Sequence, residues 1–122
     1  MQKLEHLIEA NFTLDDLFVT TTYADDFLPP NYDIAARRLR AFFARYRPAR
    51  KARGLPYDYV YVIEGEHGDK RIHHHMILPA DGGNAELIRE LWLYGSMDIE
   101  TIRQFGLRPI RGSPSLQLSE YI

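Results

Sequence analysis

Two β-rich segments, "YDYVYVIE" (Tyr57–Glu64) and "RIHHHMIL" (Arg71–Leu78), flank the stretch "GEHGDK". A connector this short and this polar, with two glycines, can only turn the chain back on itself. The two segments therefore form an antiparallel β-hairpin, and the rest of the fold has to be built around that pair. The second strand of the hairpin is unusual. Three of the chain's five histidines stand side by side in it, at 73, 74 and 75.

The flanking sequence supplies the other elements. "LFVTTTY", Leu17 to Tyr23, is β-branched and aromatic and reads as a strand. "DFLPPNY" is a loop, and Asn31 or Asp33 can cap the helix after it. In that helix Ala35, Leu39, Phe42, Phe43 and Tyr46 form one apolar stripe, Arg37, Arg40 and Arg47 fall away from it, and Pro48 is expected to end it. "PADGGN" is a loop. Asn84 is expected to cap "AELIRELWLY", which turns Leu87, Ile88, Leu91 and Tyr94 inward and stops at Gly95. "SMDIETI" reads as a short fourth strand and "FGLRPIRG" as irregular. "SPSLQLSEYI" opens like a helix, with Ser113 as cap and Pro114 in the first turn.

In order this is β-α-β-β-α-β with a helical start at each end. The pattern matches an α+β, ferredoxin-like (RRM-like) split β-α-β unit, with a central antiparallel sheet and helices on one face. The other face is left to carry a site. The 122 residues, 45% of them hydrophobic, suit a single domain.

Strand geometry sorts the histidines. Residues two apart share a face, so His73 and His75 project together and His74 projects to the opposite side, into the core or against it. If Glu64 lies opposite His73 across the hairpin, Val62 lies opposite His75, and one carboxylate joins two imidazoles. Such a set suits a divalent ion that keeps open positions for a substrate oxygen, and the ligand types fit Zn²⁺, Mn²⁺ and Mg²⁺. His6 and His67 are not placed to join. Position 77 is Ile, so the third alternate histidine of histidine-triad hydrolases is lacking.

Composition narrows the class. There is no cysteine, which excludes disulfides and thiolate metal sites. No apolar run approaches the ~20 residues of a membrane helix, and "MQKLEHLIEANF" lacks the apolar core of a secretory signal. A cytoplasmic protein without a membrane partner is expected. The net charge is -2, yet Arg37 to Arg53 holds eight of the fifteen basic residues and no acid occurs from Ile34 to Tyr57. The chain has a basic pole on an acidic body.

"FVTTTY", "VIEGEHGDKRIHHHMIL" and "SEYI", in this order, resemble the motifs of rolling-circle replication initiators of the HUH endonuclease superfamily, of the bacterial and phage replication-associated type. Phe18 to Thr22 is similar to the family's first-motif strand. His73 and His75 match the second motif, His-hydrophobic-His, with His74 in the hydrophobic slot. Glu64 matches a glutamate before the hairpin turn, and "LWLYGSMDIE" resembles the segment between the second and third motifs. Tyr121 matches the third-motif tyrosine. The lysine that follows it in the family falls beyond Ile122, so the chain is expected to be one HUH domain over residues 1–122, shortened at its C-terminus.

The resemblance implies an HUH nuclease fold and metal-dependent nicking and joining of single-stranded DNA to initiate rolling-circle replication. Glu64, His73 and His75 would hold Mn²⁺ or Mg²⁺, and Tyr121 would be the nucleophile that forms a 5′-phosphotyrosine link. Thr20, Thr22 and Arg71 would contact DNA beside the metal, and Arg37, Arg40 and Arg47 would hold its backbone. The partner would be single-stranded DNA or an origin stem-loop, with room for a helicase, and the protein would be a monomer. Two other readings stand beside this one: a non-catalytic single-stranded nucleic-acid binding module of the same fold, and a transposase of the same superfamily. Trp92 and the aromatics Phe42, Phe43 and Tyr46 are expected in the core rather than on bases.

Overall fold

The computed structural model describes residues 12–65 and 71–106. Strand β1 (Leu17–Thr21) is followed by a short 3₁₀ turn (Asp25–Phe27) and the long helix α1 (Tyr32–Ala52). The hairpin strands β2 (Val60–Glu64) and β3 (His73–Leu78) come next, then helix α2 (Asn84–Leu91), strand β4 (Met97–Thr101) and the short helix α3 (Ile102–Gly106). The four strands form one sheet in the order β2-β3-β1-β4, every neighbouring pair antiparallel. This is the expected α+β, ferredoxin-like arrangement: each helix connects two strands that are separated by a third.

Period-two alternation divides the sheet into two surfaces. Leu17, Val19, Ile63, Met76, Leu78 and Met97 meet Ala35, Leu39, Phe42, Phe43 and Tyr46 of α1 and Ile88 of α2 in the main core. His74 points into this layer. On the other surface, Phe18 and Ile77 pack with Phe12, Ile102 and Phe105 in a second, smaller cluster. The surface opposite the helices is therefore only partly open. Helix α3, over the start of the segment expected to be irregular, covers one end of it, and the end nearer the hairpin turn remains for the histidines.

Helix α1 starts where expected, with the Asn31 side chain accepting from Ile34 N at 3.0 Å. It does not end at Pro48 but runs to Ala52. Proline removes one i→i−4 bond, that to Ala44. The loss is offset by Arg50, which is wholly buried just beyond it. Its guanidinium donates to Pro56 O (2.8 Å), Asp81 O (2.7 Å) and Asp81 Oδ1 (2.5 Å), tying the last turn to two loops.

Two further expectations are corrected. Asn84 is the first residue of α2 rather than its cap. Gly83 caps the helix with a φ of 72°, and the Asn84 amide turns inward to Tyr46 Oη and Pro79 O. Helix α2 stops at Leu91, before Gly95. Gly95 is needed for another reason: a Cβ there would lie 2.0 Å from Thr22 O, where the chain crosses the end of β1. Trp92 is buried, as are the α1 aromatics. The helical starts expected near each terminus lie outside the described residues.

Candidate metal centre

The hairpin register sets the site. Glu64 pairs with His73 and Val62 with His75, so one carboxylate and two imidazoles share the surface opposite the helices. The carboxylate lies between the rings. Glu64 Oε2 is 3.1 Å from His73 Nε2, and Glu64 Oε1 is 3.7 Å from His75 Nε2. The imidazoles stand perpendicular, their centroids 5.1 Å apart. One ligand atom from each residue falls within 4.8 Å of the others, so the three form a group able to hold a metal ion.

The back of each ring is held as well. His73 Nδ1 lies 2.8 Å from Arg71 O. A carbonyl only accepts, so Nδ1 carries the proton and Nε2 keeps its lone pair toward Glu64 whenever the ring is neutral. Two electron-rich atoms 3.1 Å apart need a cation between them, either a proton or a metal. His75 Nδ1 lies 3.1 Å from Thr20 Oγ1, and its ring stacks on Phe18 at 5.5 Å. Burial pushes the His75 pKa down to about 4, against the opposing pull of Glu64. That keeps it neutral near pH 7, as a metal ligand must be. Outer partners that fix ring orientation in this way are the usual support of histidine ligands. The donor set therefore fits a divalent ion on its own chemistry.

His74 is wholly buried on the opposite side, between Thr21 Oγ1 (2.7 Å) and Tyr23 Oη (2.9 Å). Burial lowers its pKa to about 3, with the neighbouring histidines acting in the same direction. It belongs to the core and not to the metal group. The Tyr23 hydroxyl is raised to about 12 by its own burial and stays protonated.

The remaining expected site residues divide. Thr20 meets the cluster, but through His75. The Thr22 hydroxyl pairs with Ser96 Oγ at 2.8 Å. The Arg71 guanidinium binds Asp25 Oδ1 (2.6 Å) and Tyr23 O (3.0 Å), so Arg71 serves His73 through its carbonyl. Arg37, Arg40 and Arg47 lie on α1, in the layer that covers the His74 side of the sheet, and are not brought together with Glu64, His73 and His75. Tyr121 lies outside the described residues, as do His6 and His67. Asp98 and Glu100, which sequence reasoning missed, do reach this surface, paired with Thr20 and Phe18. The alternation in "DIE" is the signal that could have found them.

An antiparallel α+β sheet with helices on one face and a His-His-Glu group on the other defines the general class. The chain belongs to the replication-associated protein family of the ORF2 type, whose model matches residues 16–108. That span contains the whole sheet, both long helices and all three candidate ligands. No curated protein and no solved structure matches the chain. Among the described residues no helix is long and apolar enough to cross a membrane.

Proposed function

We propose that this protein is an HUH-type initiator that nicks and rejoins single-stranded DNA at an origin, working as a cytoplasmic monomer. The observation that carries the reading is the Glu64–His73–His75 group, within the span matched by a replication-associated family. Tyr121, beyond the described residues, is the proposed nucleophile on the strength of its place in "SEYI".

Glu64, His73 and His75 would hold Mn²⁺ or Mg²⁺, with two nitrogen donors favouring Mn²⁺. Such an ion supplies Lewis-acid stabilisation of charge on the phosphate oxygens. The Tyr121 oxygen attacks phosphorus and the bond to the 3′ oxygen breaks. Tyr121 gives up its proton and the departing 3′ hydroxyl gains one. The product is a phosphotyrosine on the 5′ side, and a 3′ hydroxyl can reverse the exchange and rejoin the strand. A phenol with an ordinary pKa near 10 needs help to attack at neutral pH. Thr20 and the Arg71 carbonyl keep the two imidazoles aimed at one point. Phe18 closes one side of His75 against water.

The test is incubation with labelled stem-loop and single-stranded oligonucleotides, in Mn²⁺ and in chelator. A covalent protein–DNA band that requires metal and is lost in Tyr121→Phe is the expected result. DNA that is retarded but uncut in every condition would sink the nuclease and leave a single-strand binding module.

A further inference from the structure

The helix side of the β2 edge carries a second arrangement that the metal group does not use. Tyr57, Tyr59 and Tyr61 alternate along the strand approach and share the face toward α1. Tyr59 stacks flat on the buried ring of Phe43, with centroids 3.7 Å apart and planes at 8°. Tyr61 stands 5.7 Å from Phe43 and 6.3 Å from Tyr59, tilted by 26° and 22°. Phe43 thus backs a fixed set of rings whose outer members are open to solvent: Tyr57 is 40% exposed and Tyr61 37%.

A basic stripe runs beside these rings. Arg40, Arg47 and Lys51 recur at helical spacing on α1, and Arg47 and Lys51 line an open hollow with Ala44, Pro48 and Tyr57. Among the described residues these three cations make no ion pair. By contrast Arg38, Arg45, Arg50 and Arg53 spend their guanidinium groups on backbone carbonyls. The uncommitted charge is therefore concentrated next to the exposed tyrosines.

From this surface we infer a second nucleic-acid site: Tyr57 and Tyr61, with Arg47 and Lys51, hold a single strand on the face of the domain opposite the metal group. The inference rests on the proposed function for the identity of the polymer. Cations placed beside open aromatic faces match a chain of phosphates with unpaired bases. A duplex hides its base faces, and an acidic peptide has none to stack. The path is short. Tyr61 and Glu64 lie on one edge strand and face opposite ways, so a strand leaving the metal group rounds β2 and reaches Tyr57 within roughly 25 Å.

The test uses the full chain, a fluorescein-labelled oligothymidylate 20-mer and chelator, read by anisotropy, with folding of each variant checked by circular dichroism. Tyr57→Ala and Tyr61→Ala should each weaken binding roughly fivefold or more, while Tyr57→Phe keeps it. Arg47→Gln combined with Lys51→Gln should flatten the salt dependence by about one unit of log–log slope. A 5-iododeoxyuridine strand should photo-cross-link to Tyr57 or Tyr61. Tyrosine variants that bind like the parent would overturn the inference, as would a duplex or polyaspartate that displaces the probe as well as unlabelled oligothymidylate does. The probe has no origin and the metal is chelated. Failure here therefore leaves the nicking assay untouched, and failure of nicking leaves this result untouched.

Discussion

At the scale of single residues, the site depends on which nitrogen of each ring is occupied. Glu64→Gln or His73→Ala removes a ligand and should lower Mn²⁺ affinity at least about 100-fold by isothermal calorimetry. Thr20→Val leaves the ligands in place but frees the His75 ring, and should cost roughly 10- to 100-fold, with Thr20→Ser close to the parent. His74 makes a separate prediction about stability. In the fold it takes a proton only near pH 3, whereas its ordinary value is 6.5. Between those values the unfolded chain binds more protons, so stability is complete above about pH 6.5 and is lost as pH falls toward 3. His75, depressed in the same direction, adds to the slope. The melting temperature of metal-free protein should fall steadily from about pH 6.5 to about pH 4, and a flat profile would contradict neutral burial of these rings. The face on which each histidine lies is legible from alternation, as is the partnership of Glu64 with His73. What Thr20 does is not, because its contact with His75 spans 55 positions and depends on β1 lying beside β3.

At the scale of elements, α1 shows where local signals mislead. Pro48 is a helix breaker by propensity, yet the helix passes through it because Arg50 anchors the turn beyond. By sequence Arg50 is one more surface cation. Nothing in the run "RRLRAFFARYRPARKAR" distinguishes it from its neighbours, since its partners Pro56 and Asp81 lie in loops outside the run. Arg50→Ala empties a buried position and strands two carbonyls, and should destabilise the protein by about 3 kcal/mol or more in urea unfolding. Gly95 makes a similar point. Composition suggests a helix stop there, and the real constraint is contact with Thr22 O. Gly95→Ala should force β1 and the approach to β4 apart, costing about 1–3 kcal/mol. The strand order and the apolar stripe of α1 were legible because each rests on a repeating period. The caps and anchors were not, because each rests on a single long-range contact.

At the scale of the whole molecule, charge is divided across the sheet. The helix side carries the uncommitted arginines. The opposite side carries Glu64, Asp98 and Glu100 around two imidazoles. Like charges repel phosphate from that second surface until a cation is supplied. Affinity for an origin stem-loop should therefore rise on replacing chelator with Mn²⁺, in the parent but not in a Glu64→Gln, His73→Ala double variant, as read by gel shift. An acidic overall composition hid this division, and only the position of the basic run hinted at it.

The three adjacent histidines of β3 have one further consequence. Their roles alternate, so sliding β3 by a single position against its neighbours would trade the interior imidazole for the two outer ones. Two polar rings would then be forced into the oily layer, and Glu64 would keep a single nitrogen companion. Metal uptake thus doubles as a check on alignment: a chain that has zipped up one step out of phase forfeits both its interior and its ion.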